Sequence, residues 1–171
     1  MRKGPMEWEK AIGDLLRKQR ATLAVAESCT GGLVSDRITD VSGSSDYFEG
    51  AIVSYSLKAK ARHLCLSLTY LERYGAVSGS VAKKMAEGVR KAFGTTYGLS
   101  TTGVAGPTGG TKRTPVGTVF IGFSDGRKSV AIREGFGGGR RAVKEQACER
   151  ALQWFYETLN RWLSKPGTGR T

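Results

Sequence analysis

The chain holds 171 residues with a mass of 18.4 kDa, room for one ordinary domain and too little for two comfortable ones. With its 24 glycines counted, roughly half of the residues are apolar, a globular balance that excludes disorder for the bulk of the chain. Lys and Arg total 27 against 15 Asp and Glu, a formal charge of +12 that attracts polyanions or phosphorylated substrates without saying which.

In chain order, residues 6–19 space Trp8, Ile12, Leu15 and Leu16 as one face of a helix. The apolar run 22–26 reads as a short buried strand, and it ends at Glu27-Ser28-Cys29-Thr30-Gly31-Gly32. A second amphipathic helix follows with Leu33, Val34, Ile38 and Val41, so Ser28 sits at a strand-to-helix junction. A turn at Gly43-Ser44-Ser45-Asp46 leads to a strand over 48–55 and a short helix over 57–66. Residues 81–93 form a longer helix, with Ser78 or Ser80 as its cap. Residues 97–102 read as a strand running into the glycine-rich loop 103–111. Two strands, 118–123 and 129–133, flank the turn Asp125-Gly126. A last helix begins near Arg140 and carries Val143, Ala147, Ala151, Phe155, Leu159 and Leu163 on one face. Interleaved helices and strands closed by a hairpin imply a three-layer α/β/α sandwich around a mixed sheet. No repeat or linker divides the sequence, which reads as one domain over 1–171, with a core over about 8–163 and a flexible tail over 164–171.

No apolar run approaches the length of a membrane span and no signal peptide opens the chain, so a cytoplasmic location is expected. Three cysteines without CxxC spacing, and His63 as the one histidine, supply poorly either a disulfide framework or a structural zinc site; Cys65 and Cys148 read as small core residues. In folds of this order ligands gather beyond the carboxyl ends of strands, which singles out the loops 27–32 and 103–111. Known phosphate loops fit badly. Residues 106–113 place Thr and Arg where a Walker A loop needs Gly and Ser or Thr.

Glu27-Ser28-Cys29-Thr30-Gly31-Gly32, Tyr55-Ser56-Leu57-Lys58-Ala59-Lys60, Gly75-Ala76-Val77-Ser78, Thr102-Gly103-Val104-Ala105-Gly106-Pro107 and Pro115-Val116-Gly117-Thr118-Val119 together resemble the CinA carboxy-terminal domain family over about residues 8–163. The resemblance implies a three-layer sandwich around a five-stranded mixed sheet. It also implies hydrolysis of the carboxamide of nicotinamide mononucleotide to nicotinate mononucleotide and ammonia, with neither metal nor other cofactor, by a homodimer. Its motif serine falls on Ser28, its lysine on Lys60 and its tyrosine on Tyr55, which would relay a proton or orient Lys60. Thr102, Gly103, Ala105 and Gly106 would line the nucleotide pocket beside Cys29, Thr30, Gly31 and Gly32. Arg140 would grip phosphate, and Ser44 and Ser45 would donate to ribose or phosphate. Leu57 replaces a family asparagine, Gly139 an acidic residue and Lys144 an arginine.

The chemistry is consistent with that reading. Amide hydrolysis needs a nucleophile, a base and oxyanion donors, and a Ser–Lys pair is a recognised variant of the triad. Lys60 would take the proton of Ser28, which requires its pKa to fall by roughly 2–3 from about 10.4; burial, or Lys58 and Arg62 if they face the site, would lower it. Backbone amides over 29–31 would form the oxyanion hole. Plainer roles stand beside these: Ser28 as a helix cap, Lys60 as a solvated lysine, Tyr55 as a buried strand-end residue, Arg140 as a helix-start cation. A basic module that senses nucleotides or binds nucleic acid or a protein partner is the alternative function, although no basic stripe with interleaved aromatics supports it.

Overall fold

Apolar alternation along the strands decides how the layers assemble. In a computed structural model that describes residues 7–163, the order is α1 (Trp8–Gln19), β1 (Leu23–Glu27), α2 (Leu33–Thr39), a 3-10 turn (Ser44–Asp46), β2 (Phe48–Val53), α3 (Leu57–Leu64), α4 (Leu68–Tyr74), α5 (Gly79–Phe93), β3 (Tyr97–Gly103), β4 (Thr118–Ser124), β5 (Ser129–Gly135) and α6 (Arg140–Leu163). The sheet runs β2-β1-β3-β4-β5. β2, β1 and β3 are parallel, whereas β4 and β5 are antiparallel additions. The expected three-layer α/β/α sandwich around a mixed five-stranded sheet is what the chain forms. The tail over 164–171 lies outside the described residues.

Leu23 and Val25 of β1 point to one side of the sheet, where Ile12 and Leu16 of α1, Val34 and Ile38 of α2, and Val143, Leu152 and Phe155 of α6 pack with Leu99, Ile121 and Phe123. Ala24 and Ala26 point to the other side, against Val81, Met85 and Val89 of α5 and Leu64 and Leu71 of α3 and α4. This is the period-2 pattern of a strand buried on both faces.

The two sides differ in side-chain size. On the α5 side the sheet offers Ala24, Ala26, Gly98, Ser100 and Gly122, and α5 sits almost on the backbone. A Cβ on Gly98 would lie 2.0 Å from the Ala86 carbonyl oxygen, and one on Gly122 2.3 Å from that of Ala82. The Ser100 hydroxyl donates to the same Ala82 carbonyl at 2.6 Å. Gly88, on the far face of α5, admits the Leu64 carbonyl at the end of α3, where a Cβ would lie 2.3 Å away.

Two features depart from the sequence reading, and the structure decides a third point that it left open. β2 ends at Val53 and not at residue 55, because the Ser54 amide makes its bond to the Glu27 carbonyl (2.8 Å) and the chain then turns into α3, capped by the Ser56 hydroxyl. α4 was not foreseen: Leu71 is its one fully buried residue, too weak an apolar period to read, and its start is fixed by the Ser67 cap. Of the two serines offered as caps for α5, Ser78 does it, accepting from the Val81 amide.

Because Gly122 abuts the α5 backbone, a single added methyl cannot be absorbed by a rotamer change. Gly122→Ala is expected to lower unfolding stability by about 1–3 kcal/mol, read as a fall in the urea midpoint at unchanged m-value.

Candidate active site

The β1–α2 turn has no side-chain cap of the usual kind. Gly32 is the N-cap of α2 and lends no side chain, and Ser28 does not cap the helix. Glu27, the last residue of β1, does the work from within the core. Fully buried, it accepts through Oε2 from the Thr30 hydroxyl (2.6 Å), the Gly32 amide (2.9 Å) and the Val34 amide (3.2 Å). Through Oε1 it accepts from the Ser35 amide (2.9 Å) and hydroxyl (2.5 Å). One carboxylate thus satisfies the orphan amides of the first turn. Gly31 and Gly32, at φ 63° and 103°, allow the chain to double back on it. Thr30 is also hydrogen-bonded to Thr101 of β3 at 2.7 Å, which fixes the turn to the neighbouring strand. Sequence reading missed Glu27 as a site-building residue. The signal available was an acidic residue ending an apolar strand just before a helix start.

This turn presents Ser28, which is 8% exposed, to Lys60, which is 2% exposed. Lys60 Nζ lies 2.8 Å from Ser28 Oγ and donates to the Ser54 carbonyl at 2.7 Å. The amine is therefore held between a backbone acceptor and the serine hydroxyl. Burial pulls its pKa from 10.5 down to about 8. Lys58 and Arg62, considered as sources of repulsion, are exposed and do not produce the shift. Desolvation is the leading cause.

Cys29 is buried in the core, and desolvation pushes its thiol up to about 12, so beside Ser28 it is a packing residue and a poor nucleophile. Of the backbone amides expected to form an oxyanion hole, that of Gly31 is spent on the Ser28 carbonyl (3.1 Å), while those of Cys29 and Thr30 hydrogen-bond to the Cys29 thiol.

Tyr55 does not take the plainer role of a buried strand-end residue. It is 59% exposed and lies beyond the end of β2. Its hydroxyl accepts from the Arg140 guanidinium, and Ser54 holds the lysine in its place. Arg140, the first residue of α6, also donates to the Gly106 carbonyl at 2.8 Å, so three loops meet at one guanidinium. Thr102 is buried and donates to the Ala76 carbonyl (2.8 Å), a tie between β3 and the approach to α5. Beyond Gly103, the Val104 amide bonds to Thr118 and that of Gly117 back to Val104, each at 2.8 Å. Gly106 is thereby held against Val116.

Ser44 and Ser45 are not brought to this site within the chain. They precede β2, which runs parallel to β1, and so lie at the end of the sheet opposite Ser28, where Arg17 binds the Ser42 and Gly43 carbonyls and Asp46. Cys65 is exposed and not a core residue, because it ends α3 in the left-handed conformation at φ 55°. Cys148 is buried as expected. Among the described residues no group of three or more His, Cys, Asp and Glu is placed to hold a metal ion, and no helix is long and apolar enough to cross a membrane.

A mixed α/β sandwich with a buried serine–lysine contact where its first strand gives way to a helix defines the class to which the chain is compared. The model of the CinA C-terminal domain matches residues 6–159, and the chain belongs to that family. It is 48% identical over 157 residues to a CinA-like protein of Salinibacter ruber, covering 92% of this chain and 38% of the relative. To a CinA-like protein of Syntrophus aciditrophicus it is 50% identical over 157 residues, covering 91% and 36%. The chain therefore spans little more than a third of the length of these curated relatives. The crystal structure of competence damage-inducible protein A from Klebsiella pneumoniae superposes with a TM-score of 0.88 at 28% identity, covering 91% of this chain and 97% of that one. A CinA superfamily protein from Escherichia coli gives 0.86 at 27% identity, covering 92% and 94%.

Two expectations follow. Glu27→Gln replaces one of two acceptor oxygens with a donor that faces backbone amides, and is expected to cost about 3 kcal/mol of stability, measured by denaturant unfolding. Lys60 binds its proton near pH 8 when folded and near 10.5 when not, so between those values the unfolded state holds more protons and stability rises with pH. Below that window the full penalty of a buried ammonium is present. Lys60→Met should accordingly raise the melting temperature, relative to wild type, by more at about pH 6.5 than at about pH 10.

Proposed function

We propose that the chain is a serine–lysine amidohydrolase that converts the carboxamide of nicotinamide mononucleotide to the carboxylate with release of ammonia. The observation that carries the reading is the 2.8 Å contact between Ser28 Oγ and Lys60 Nζ, with the amine held near pH 8. An isolated solvated lysine would be protonated at neutral pH and unable to act as a base. The choice of nicotinamide mononucleotide rests on the motif resemblance, and the guanidinium of Arg140 beside the Gly106 loop supports an anionic substrate.

With the amine neutral, its N–H donates to the Ser54 carbonyl and its lone pair faces the Ser28 hydroxyl. Lys60 takes the proton as Ser28 Oγ attacks the carboxamide carbon, and the carbonyl oxygen becomes an oxyanion that draws on backbone donors of the β1–α2 turn. The ammonium formed on Lys60 returns that proton to the departing amine. The C–N bond breaks, ammonia leaves and an ester on Ser28 remains. Water, deprotonated by the same amine, attacks that ester, and Ser28 recovers its proton as the carboxylate departs. Amide and water give carboxylate and ammonium, so the balance closes. Arg140 and Tyr55 line the approach from the solvent side.

Incubation with nicotinamide mononucleotide should release ammonia, with kcat/KM rising with pH through about 8 as Lys60 loses its proton. Ser28→Ala and Lys60→Ala should each lower kcat by about a thousandfold or more while remaining folded. A folded wild type that releases no ammonia, or a Lys60→Ala protein that keeps the wild-type rate, would overturn the proposal.

A further inference from the structure

The site holds one base for two successive attacks. Cleavage of the amide leaves an ester on Ser28, and a second nucleophile must lose a proton to release it. Glu27 cannot take that proton, since its two oxygens already accept from five donors. The Cys29 thiol is kept protonated by burial, and His63 is exposed. Lys60 Nζ, 2.8 Å from Ser28 Oγ, is left to activate whatever approaches the ester. Among the described residues neither Ser28 Oγ nor Lys60 Nζ hydrogen-bonds to any further side chain. Water is therefore favoured by its abundance and not by a dedicated partner.

The departing ammonia defines the room available. It leaves from a position within reach of Lys60, and by microscopic reversibility an amine of similar size fits that position as a nucleophile. Ser28 and Lys60 are 8% and 2% exposed, and the Arg140 guanidinium, tied to Tyr55 and to the Gly106 carbonyl, stands on the solvent side. The acceptor must be small. It must also be uncharged. The same desolvation that brings Lys60 down to about 8 penalises an alkylammonium beside it, and an ammonium has no lone pair with which to attack.

We infer that the chain is also an acyltransferase: the Ser28 ester passes to small uncharged amines as well as to water, giving a hydroxamate when hydroxylamine is the acceptor. The hydroxylamine nitrogen bonds to the acyl carbon and its proton passes to Lys60. The bond from that carbon to Ser28 Oγ breaks, and Lys60 returns the proton to Ser28. Amide and hydroxylamine thus give hydroxamate and ammonia, with nothing oxidised or reduced. This rests on the amidohydrolase reading, which the same experiment scores separately.

The test is incubation of the full chain with nicotinamide mononucleotide and about 0.5 M hydroxylamine at about pH 8, with ammonia, carboxylate and hydroxamate measured together. About half or more of the acyl groups should appear as hydroxamate, and Ser28→Ala should form none above the protein-free rate. The ratio of hydroxamate to carboxylate should be unchanged when the methyl ester of nicotinate mononucleotide replaces the amide, because both pass through one ester on Ser28. Methylamine, an ammonium at that pH, should yield at least about tenfold less of its amide. Ammonia and carboxylate formed without hydroxamate overturn the inference and leave the amidohydrolase reading standing. A ratio that changes with the leaving group, or methylamine accepted as readily as hydroxylamine, also overturns it. Neither ammonia nor hydroxamate from the folded chain overturns both.

Discussion

The carboxylate of Glu27 is the constraint on which the site depends. A strand that ends inside the protein and turns at once into a helix leaves several amides without partners, and burying them unsatisfied would cost a few kcal/mol. Glu27 gathers the Gly32, Val34 and Ser35 amides and two hydroxyls onto one side chain. The turn is consequently rigid, and Ser28 is relieved of any capping duty. Its hydroxyl is left for Lys60. The chain uses a charge in the core to free a neutral nucleophile beside it.

The second half of the pair is held by a different economy. An amine taken from water prefers to be neutral, and the Ser54 carbonyl gives that neutral amine a place to donate while leaving its lone pair directed at Ser28. Ser54 stands where β2 has just ended, so its amide completes the sheet with Glu27 while its carbonyl serves the lysine. The end of one strand and the end of its neighbour therefore position nucleophile and base through the same two residues. Tyr55, one step further, is already outside the sheet and faces Arg140.

How much of this was legible in the sequence follows from what each signal depends on. The strand-to-helix position of Ser28 and the layer order could be read because they rest on local periodicity and on glycine clusters. The identity of Lys60 as its partner came from motif resemblance, since thirty-two residues separate the two and spacing alone cannot show that α3 returns to the end of β1. Whether Tyr55 is buried cannot be read locally, because burial of a strand end depends on how many rungs the sheet completes, a tertiary property. Ser44 and Ser45 were grouped with the site by motif, but the parallel pairing of β1 and β2 puts a segment preceding β2 at the wrong end. Cys65 was read as apolar filler, yet its position at the helix end required a left-handed residue in the open. Glu27 went unnoticed for the converse reason: a buried acid is read from its partners, and those partners are backbone amides invisible to composition.

The asymmetry between the two sides of the sheet has an evolutionary reading. Where α1, α2 and α6 meet the strands, bulky side chains interdigitate, and one can be exchanged for another of similar volume with a modest penalty. Beneath α5 there is nothing to exchange, because main chain rests on main chain through Gly98 and Gly122. A methyl added there must lift the helix, and Gly88 would pass the displacement to the Leu64 carbonyl and so to the helix that carries Lys60. Drift in descendants of this chain is thus channelled to one flank of the molecule, while the other flank, though remote from the reaction, is as intolerant of change as the reacting groups.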